Sequence, residues 1–212
     1  MKTVLCFGDS NTYGTHPMPH LSYAKRFGRE IRWPTVMASG LGSTVHLIDE
    51  GHPGRTTVHD DPIEGLYKNG SRILTAILES HCPIDLLILN LGANDHKQRF
   101  GLTTQDIAFG VGVLVDMAKA SGLVRDTLVI CPPKVQEKGC LAEIFAGAKA
   151  RSDGLADHMA RVAKARDVHF VDAGAHIETD PLDGVHYSDA AHQKLAGVLV
   201  PVVKDILEEQ GE

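Results

Sequence analysis

No apolar run in this 212-residue sequence comes near the roughly 20 residues that a membrane-spanning helix needs. The longest, Ile107–Val115 and Leu195–Val203, are nine residues each and are bounded by charges. The stretch from Met1 turns acidic at Asp9, too early for the apolar core of a signal peptide. A basic excess is also missing. Lys and Arg number 21 against 27 Asp and Glu, a net charge of −6, which disfavours a nucleic-acid binder and an anionic membrane surface alike. The four cysteines form no C-x-x-C pair, and Cys6 and Cys131 fall in apolar runs where a buried, inert thiol is expected. These absences lead us to expect a soluble, cytoplasmic protein with neither nucleic acid nor membrane as partner.

Several catalytic signatures are absent too. There is no G-x-x-x-x-G-K-[ST] and no G-x-G-x-x-G, so the phosphate-cradling loops are excluded. No H-E-x-x-H occurs; His16 and His20 are four apart, but Pro17 and Pro19 make that stretch a loop and argue against zinc. No serine stands in G-x-S-x-G, which excludes the nucleophile elbow of the α/β-hydrolases.

What is there is an alternation of short apolar runs with helical patterns. Thr3–Phe7, Thr44–Asp49, Ile84–Leu91, Thr127–Cys131 and Val168–Asp172 read as strands, several of them near-continuous in Val, Ile and Leu. Parallel strands covered on both faces have that character. Helices are predicted over Arg32–Leu41, Ser71–Ser80, Thr104–Ala120, Ala142–Ala165 and Ser188–Glu209, the last kinked or divided by Pro201. Five β-α units in succession imply one α/β domain with a parallel sheet, right-handed crossovers and helices on both faces.

In such sheets ligands bind beyond the carboxyl ends of the strands. Ser10 lies just after the first strand, between Gly8 and Gly14. It reads either as the N-cap of a following helix or as a nucleophile, which needs a base and an acid to orient that base. Among 12 histidines, three have Asp three residues before: Asp49/His52, Asp183/His186 and Asp189/His192. The last lies within a helix, where such pairs are routine on the surface, and Asp49 belongs to a strand. Asp183/His186, in a Pro/Gly loop at the edge where Ser10 emerges, is the best placed, with an ordinary solvated pair as its alternative. Asn94 has an amide, and Gly54 an unobstructed N–H, that can point at a developing oxyanion; singly, each reads as a turn residue.

Gly8-Asp9-Ser10-Asn11, Gly54, Gly92-x-Asn94-Asp95 and Asp183-x-x-His186 together resemble the four blocks of the SGNH (GDSL-type) hydrolases, in order along the chain. Glu50-Gly51, Arg55-Thr56-Thr57, Asp61-Pro62 and Val171-Asp172-Ala173-Gly174 resemble the bacterial arylesterase/acyltransferase branch more closely still. The resemblance implies a single domain over residues 1–212, three-layered α/β/α, with a five-stranded sheet in the flavodoxin-like order 2-1-3-4-5. It implies Ser10 as nucleophile, His186 as base and then acid, and Asp183 as the orienter of His186. The N–H groups of Ser10 and Gly54 and the Asn94 side chain would form the oxyanion hole. Asp9 would hold the turn. Asn11 departs from the eponymous Leu and is expected to bear on the pocket more than on the triad. No cofactor or metal is implied.

The expected activity is hydrolysis of short-chain esters of aryl, alkyl or sugar alcohols, with acyl transfer to alcohols where the pocket is poor in water. A thioesterase or lysophospholipase is the competitor within the class. By resemblance the chain forms a homo-oligomer, an octamer in this branch, with Thr15–Arg32 as a lid, a contact segment or an ordinary surface loop. Two rivals lie outside: a Mg²⁺-dependent phosphoacceptor module built on Asp9, Asp95 and Lys134, and a catalytically dead carbohydrate-binding relative.

Overall fold

The apolar strand residues divide between the two faces of one sheet, and helices cover both. The computed structural model describes residues 1–209. Its strands are β1 (Lys2–Gly8), β2 (Val45–Gly51), β3 (Ile84–Asn90), β4 (Val124–Cys131) and β5 (His169–Asp172). All pair in parallel, in the order β2-β1-β3-β4-β5. The helices are α1 (Ser10–Tyr13), α2 (Trp33–Leu41), α3 (Gly70–His81), α4 (Thr104–Ser121), α5 (Ala148–Arg151), α6 (Leu155–Ala165) and α7 (Asp189–Glu209).

Alternation along each strand produces two cores. Val4, Cys6, Leu86, Ile88, Leu128 and Ile130 face α2 and α7, together with Trp33, Met37 and Leu195. Leu5, Phe7, Leu87, Leu89, Val129 and Cys131 face α3, α4 and α6. Burial on both faces explains why these strands are apolar throughout. Helix ends follow side-chain chemistry: Asn69 caps α3 by accepting from the Ser71 N–H, and Thr103 with Asp106 forms a capping box on α4.

Two expected elements come out differently. The single helix over 142–165 is broken: α5 has four residues, and Gly147 and Gly154, at φ +78° and +81°, take left-handed backbone that no helix continues through. The last helix is not divided at Pro201. Pro201 and Gly197, whose carbonyl loses its partner, are both exposed, so water takes the missing hydrogen bond. No helix among the described residues is long and apolar enough to cross a membrane.

The strand order reverses between β1 and β3, and the residues just beyond β1 therefore sit at the crevice where the crossovers diverge. Ser10 is there, in the first turn of α1. The cap of that helix is Asp9, whose Oδ1 accepts from the Asn11 N–H at 2.9 Å, so the N-cap reading of Ser10 is corrected.

Candidate active site

The loop after β5 folds back over the start of α1. Within it, Asp183 Oδ1 accepts from the N–H groups of Val185 (2.9 Å) and His186 (3.0 Å), a tight turn that brings the carboxylate under the imidazole. Asp183 Oδ2 lies 2.6 Å from His186 Nδ1, and His186 Nε2 lies 3.1 Å from Ser10 Oγ. A carboxylate only accepts, so Nδ1 carries the proton and Nε2 is free to accept from the Ser10 hydroxyl. Burial would raise the Asp183 carboxyl, but the His186 hydrogen bond and charge, with the two N–H groups, outweigh it and hold the carboxyl below its usual range.

The other two Asp–His pairs are apart. Asp49 pairs with Arg32 at 2.6 Å, and His52 Nε2 faces Lys68 Nζ at 3.1 Å. His192 is buried, accepts the backbone N–H of Trp33 at 3.3 Å on Nδ1, and is pushed down by burial to about 3.

Ser10, His186, Gly54 and Asn94 line one cavity of about 410 Å³. Asp9 Oδ2 accepts one amide hydrogen of Asn94 at 3.3 Å, leaving the other for a ligand. Burial pushes the Asp9 carboxyl up to about 6, against the pull of the Asn11 N–H and His186. Gly54 adopts φ +80°, left-handed backbone that strains a side-chain-bearing residue and favours glycine. Its loop is tied to the end of β1, where Gly8 O accepts from Arg55 Nη1 at 2.9 Å and from the His52 N–H at 3.0 Å. Asp95, fully buried, accepts from the Thr57 N–H (3.1 Å) and hydroxyl (2.6 Å) and ties the same loop to the end of β3.

These bonds also occupy the phosphoacceptor carboxylates, and Lys134 lies apart from them. Asp9 and Asp95 are engaged in loop contacts, and Lys134 pairs with Asp153 at 2.5 Å beside a different cavity at the ends of β4 and β5. No group of three or more His, Cys, Asp or Glu among the described residues is arranged to hold a metal ion.

Residues 15–26 form a strap over the cavity. Thr15 and Arg26 make an antiparallel bridge, and His16 stacks on Phe27 with centroids 3.8 Å apart. Met18, Leu21 and Tyr23 line the cavity, and the Met18 N–H donates to Asp183 Oδ2 at 2.7 Å. Of the alternatives for this segment, the ordinary surface loop is corrected: it is pocket wall, and it touches the carboxylate beside the imidazole. Sequence reasoning missed Met18 because a backbone N–H has no side-chain signature. Asn11, expected to bear on the pocket, instead bonds the backbone on either side of His186.

The far wall is braced by Asp61. Its carboxylate is buried and accepts from the N–H groups of Ile63 and Glu64 (2.9 and 3.0 Å), from Lys97 Nζ (3.2 Å) and from Arg99 Nη1 (2.9 Å). Burial alone would raise it, but the Glu64 and Ile63 N–H groups and the Lys97 ammonium outweigh burial and hold it at about 2. Its folded value lies below the ordinary 3.8, so its contribution to stability is full above that value and is lost as pH falls toward 2. Asp61→Asn is expected to cost about 3–5 kcal/mol at pH 7 and markedly less at pH 3. Urea unfolding at both pH values measures this, and an equal loss at both would refute the assignment.

Residues 6–194 match the GDSL-like lipase/acylhydrolase family. The chain belongs to that family. Membership makes it a carboxylic-ester hydrolase. An inhibitor-bound aryl esterase of M. smegmatis superposes with a TM-score of 0.92 at 36% identity, over 97% of this chain and 100% of that one. Est24, a carbohydrate acetylesterase from Sinorhizobium meliloti, gives the same TM-score of 0.92 and 36% identity, with 97% and 100% covered. A lipase/acylhydrolase from Enterococcus faecalis, at 19% identity and TM-score 0.69 over 97% and 96% of the two chains, shares the fold. No curated protein matches the chain.

Proposed function

We propose that this GDSL hydrolase is a serine esterase for short-chain, acetyl-type esters of aryl, alkyl or sugar alcohols. The carrying observation is the unbroken chain Asp183–His186–Ser10, at 2.6 and 3.1 Å, opening on the cavity that also holds Gly54 and Asn94. Ser10 Oγ attacks the ester carbonyl as His186 Nε2 takes its proton, and Asp183 stabilises the imidazolium. The oxyanion sits among the N–H groups of Ser10 and Gly54 and the Asn94 amide. The intermediate collapses as His186 returns the proton to the leaving alcohol, leaving an acyl group on Ser10. Water, activated by His186 in turn, releases it. His186 must be neutral to begin, so activity falls as it becomes protonated.

Met18, Leu21, Ile144, Phe145 and Val185 make an apolar stretch of a cavity wall that also carries the charged Glu64, Lys68 and Lys97, and beside such a stretch an alcohol competes with water and acyl transfer accompanies hydrolysis. A rate on p-nitrophenyl acetate well above that on p-nitrophenyl octanoate is expected. The reverse order would instead indicate a long-chain acylhydrolase such as a lysophospholipase.

We further propose a homo-oligomer, by resemblance an octamer. Ile63 and Tyr67, next in sequence to the cavity-lining Glu64 and Lys68, are 76% and 58% exposed, and Leu21 is exposed at the cavity itself, apolar surface that association would cover. Light scattering that gives a monomer mass would end this proposal. Four free cysteines suit a cytoplasmic enzyme, which cell fractionation checks.

A further inference from the structure

Asn11 follows Ser10 and is only 1% exposed. Its Nδ2 donates to the Val185 carbonyl at 3.1 Å, and its Oδ1 accepts the Tyr187 N–H at 3.0 Å. These two groups belong to the peptide units on either side of His186. The N–H and C=O of His186 itself are bonded inside its loop, to Asp183 Oδ1 and the Asp180 N–H. The loop's own bonds therefore fix its shape, and Asn11 ties it to the helix turn that carries Ser10. Asn11 is itself held, because its N–H is the one that Asp9 caps. The job calls for one donor and one acceptor on a short stem, which the amide supplies at every pH: an ionised carboxylate has two acceptors and leucine has neither.

We propose that Asn11 is a positioning residue for ester hydrolysis, locking the His186 imidazole at hydrogen-bond distance from Ser10 by holding both peptide units that flank it. The proposal rests on the Ser10–His186 reading above. Displacements of about 1 Å in a reacting pair cost on the order of 10²-fold in rate.

The test uses full-length wild type, Asn11→Leu, Asn11→Ala, Asn11→Asp and Ser10→Ala, assayed on p-nitrophenyl acetate across pH and by labelling with a fluorophosphonate. Asn11→Leu is expected to lose about 10²-fold in kcat with KM unchanged, and labelling should slow in parallel. When ionised, Asn11→Asp keeps the bond from Tyr187, sets its second carboxylate oxygen against the Val185 carbonyl, and adds a negative charge behind the imidazole. The acid limb of its kcat/KM should move up by about one pH unit. The charged and titratable groups facing His186 are Asp183 in its own loop, Asp9 beyond β1 and His192 on α7. They are the same in every variant, so the shift is read as a difference from wild type.

A raised KM at unchanged kcat would make Asn11 pocket wall and overturn the proposal. So would a fall in kcat no larger than the loss of folded protein seen by circular dichroism. Should Asn11→Leu not fold, Asn11→Ala, which removes both bonds without added bulk or charge, decides: a wild-type kcat overturns the proposal. Turnover indifferent to Ser10→Ala would instead bring down the underlying reading, whatever Asn11 does.

Discussion

Ser10→Ala is expected to abolish turnover of p-nitrophenyl acetate, lowering kcat by roughly 10⁴–10⁶-fold. The whole acyl-enzyme route passes through one oxygen, and what survives is what the oxyanion donors and substrate binding supply to attack by water. The fold should scarcely notice. The Ser10 hydroxyl bonds His186 Nε2, whereas the bonds that shape the turn go to its backbone: the Gly14 and Thr15 N–H groups both donate to the Ser10 carbonyl. Alanine keeps those, and Asp9 rather than Ser10 is the cap. Thermal unfolding within about 1 kcal/mol of wild type should therefore accompany the collapse in rate. Activity within tenfold of wild type would remove Ser10 from the mechanism.

Asp183→Asn should be nearly as damaging and, unlike Ser10→Ala, should also destabilise. Asp183 is wholly buried and every one of its partners is a donor: the N–H groups of Met18, Val185 and His186, and His186 Nδ1. An amide has one acceptor oxygen. If that oxygen keeps the Val185 and His186 bonds, its NH₂ faces the Met18 N–H and His186 Nδ1. The imidazole can then relieve only its own conflict, by moving its proton to Nε2, and an Nε2–H cannot accept from Ser10. A loss in kcat of about 10⁴ is expected from the wrong tautomer, together with about 1–3 kcal/mol of stability for the donor left unpaired. Steady-state rates and urea unfolding on one preparation measure both. A variant that is less stable yet within tenfold in kcat would show that Asp183 only holds the loop.

Asp183 and His186 were legible in the sequence because their contact is local: three residues and a glycine suffice to make the turn. The sheet was legible because burial on both faces writes an apolar run into each strand, and Leu5/Cys6 or Leu87/Ile88 point to opposite cores. Asn11 shows where such reading stops. It is one residue from Ser10, yet its partners are 174 and 176 residues away, and nothing in Ser10-Asn11-Thr12 says that they exist. The break in the helix over 142–165 was signalled by Gly147 and Gly154, but glycine does not announce a left-handed backbone until neighbours require it. Pro201 kinks its helix or divides it in the sequence reading, and division does not occur, since a proline on a helix's exposed side frees a carbonyl that solvent can reach.

The strap over the cavity has a bearing on redesign. Leu21 and Tyr23 shape the room for substrate, while Met18, a few residues before them, supplies a donor to Asp183. A graft that swaps this strap between relatives to admit bulkier esters also rewires the carboxylate whenever the backbone at Met18 shifts. Selectivity and turnover are then inherited as a package. Ile144 and Phe145 come from another segment, whose backbone bonds run to Gln98, Leu141 and Ala148 rather than to Asp183, so pocket shape can be varied there with the proton chemistry left in place.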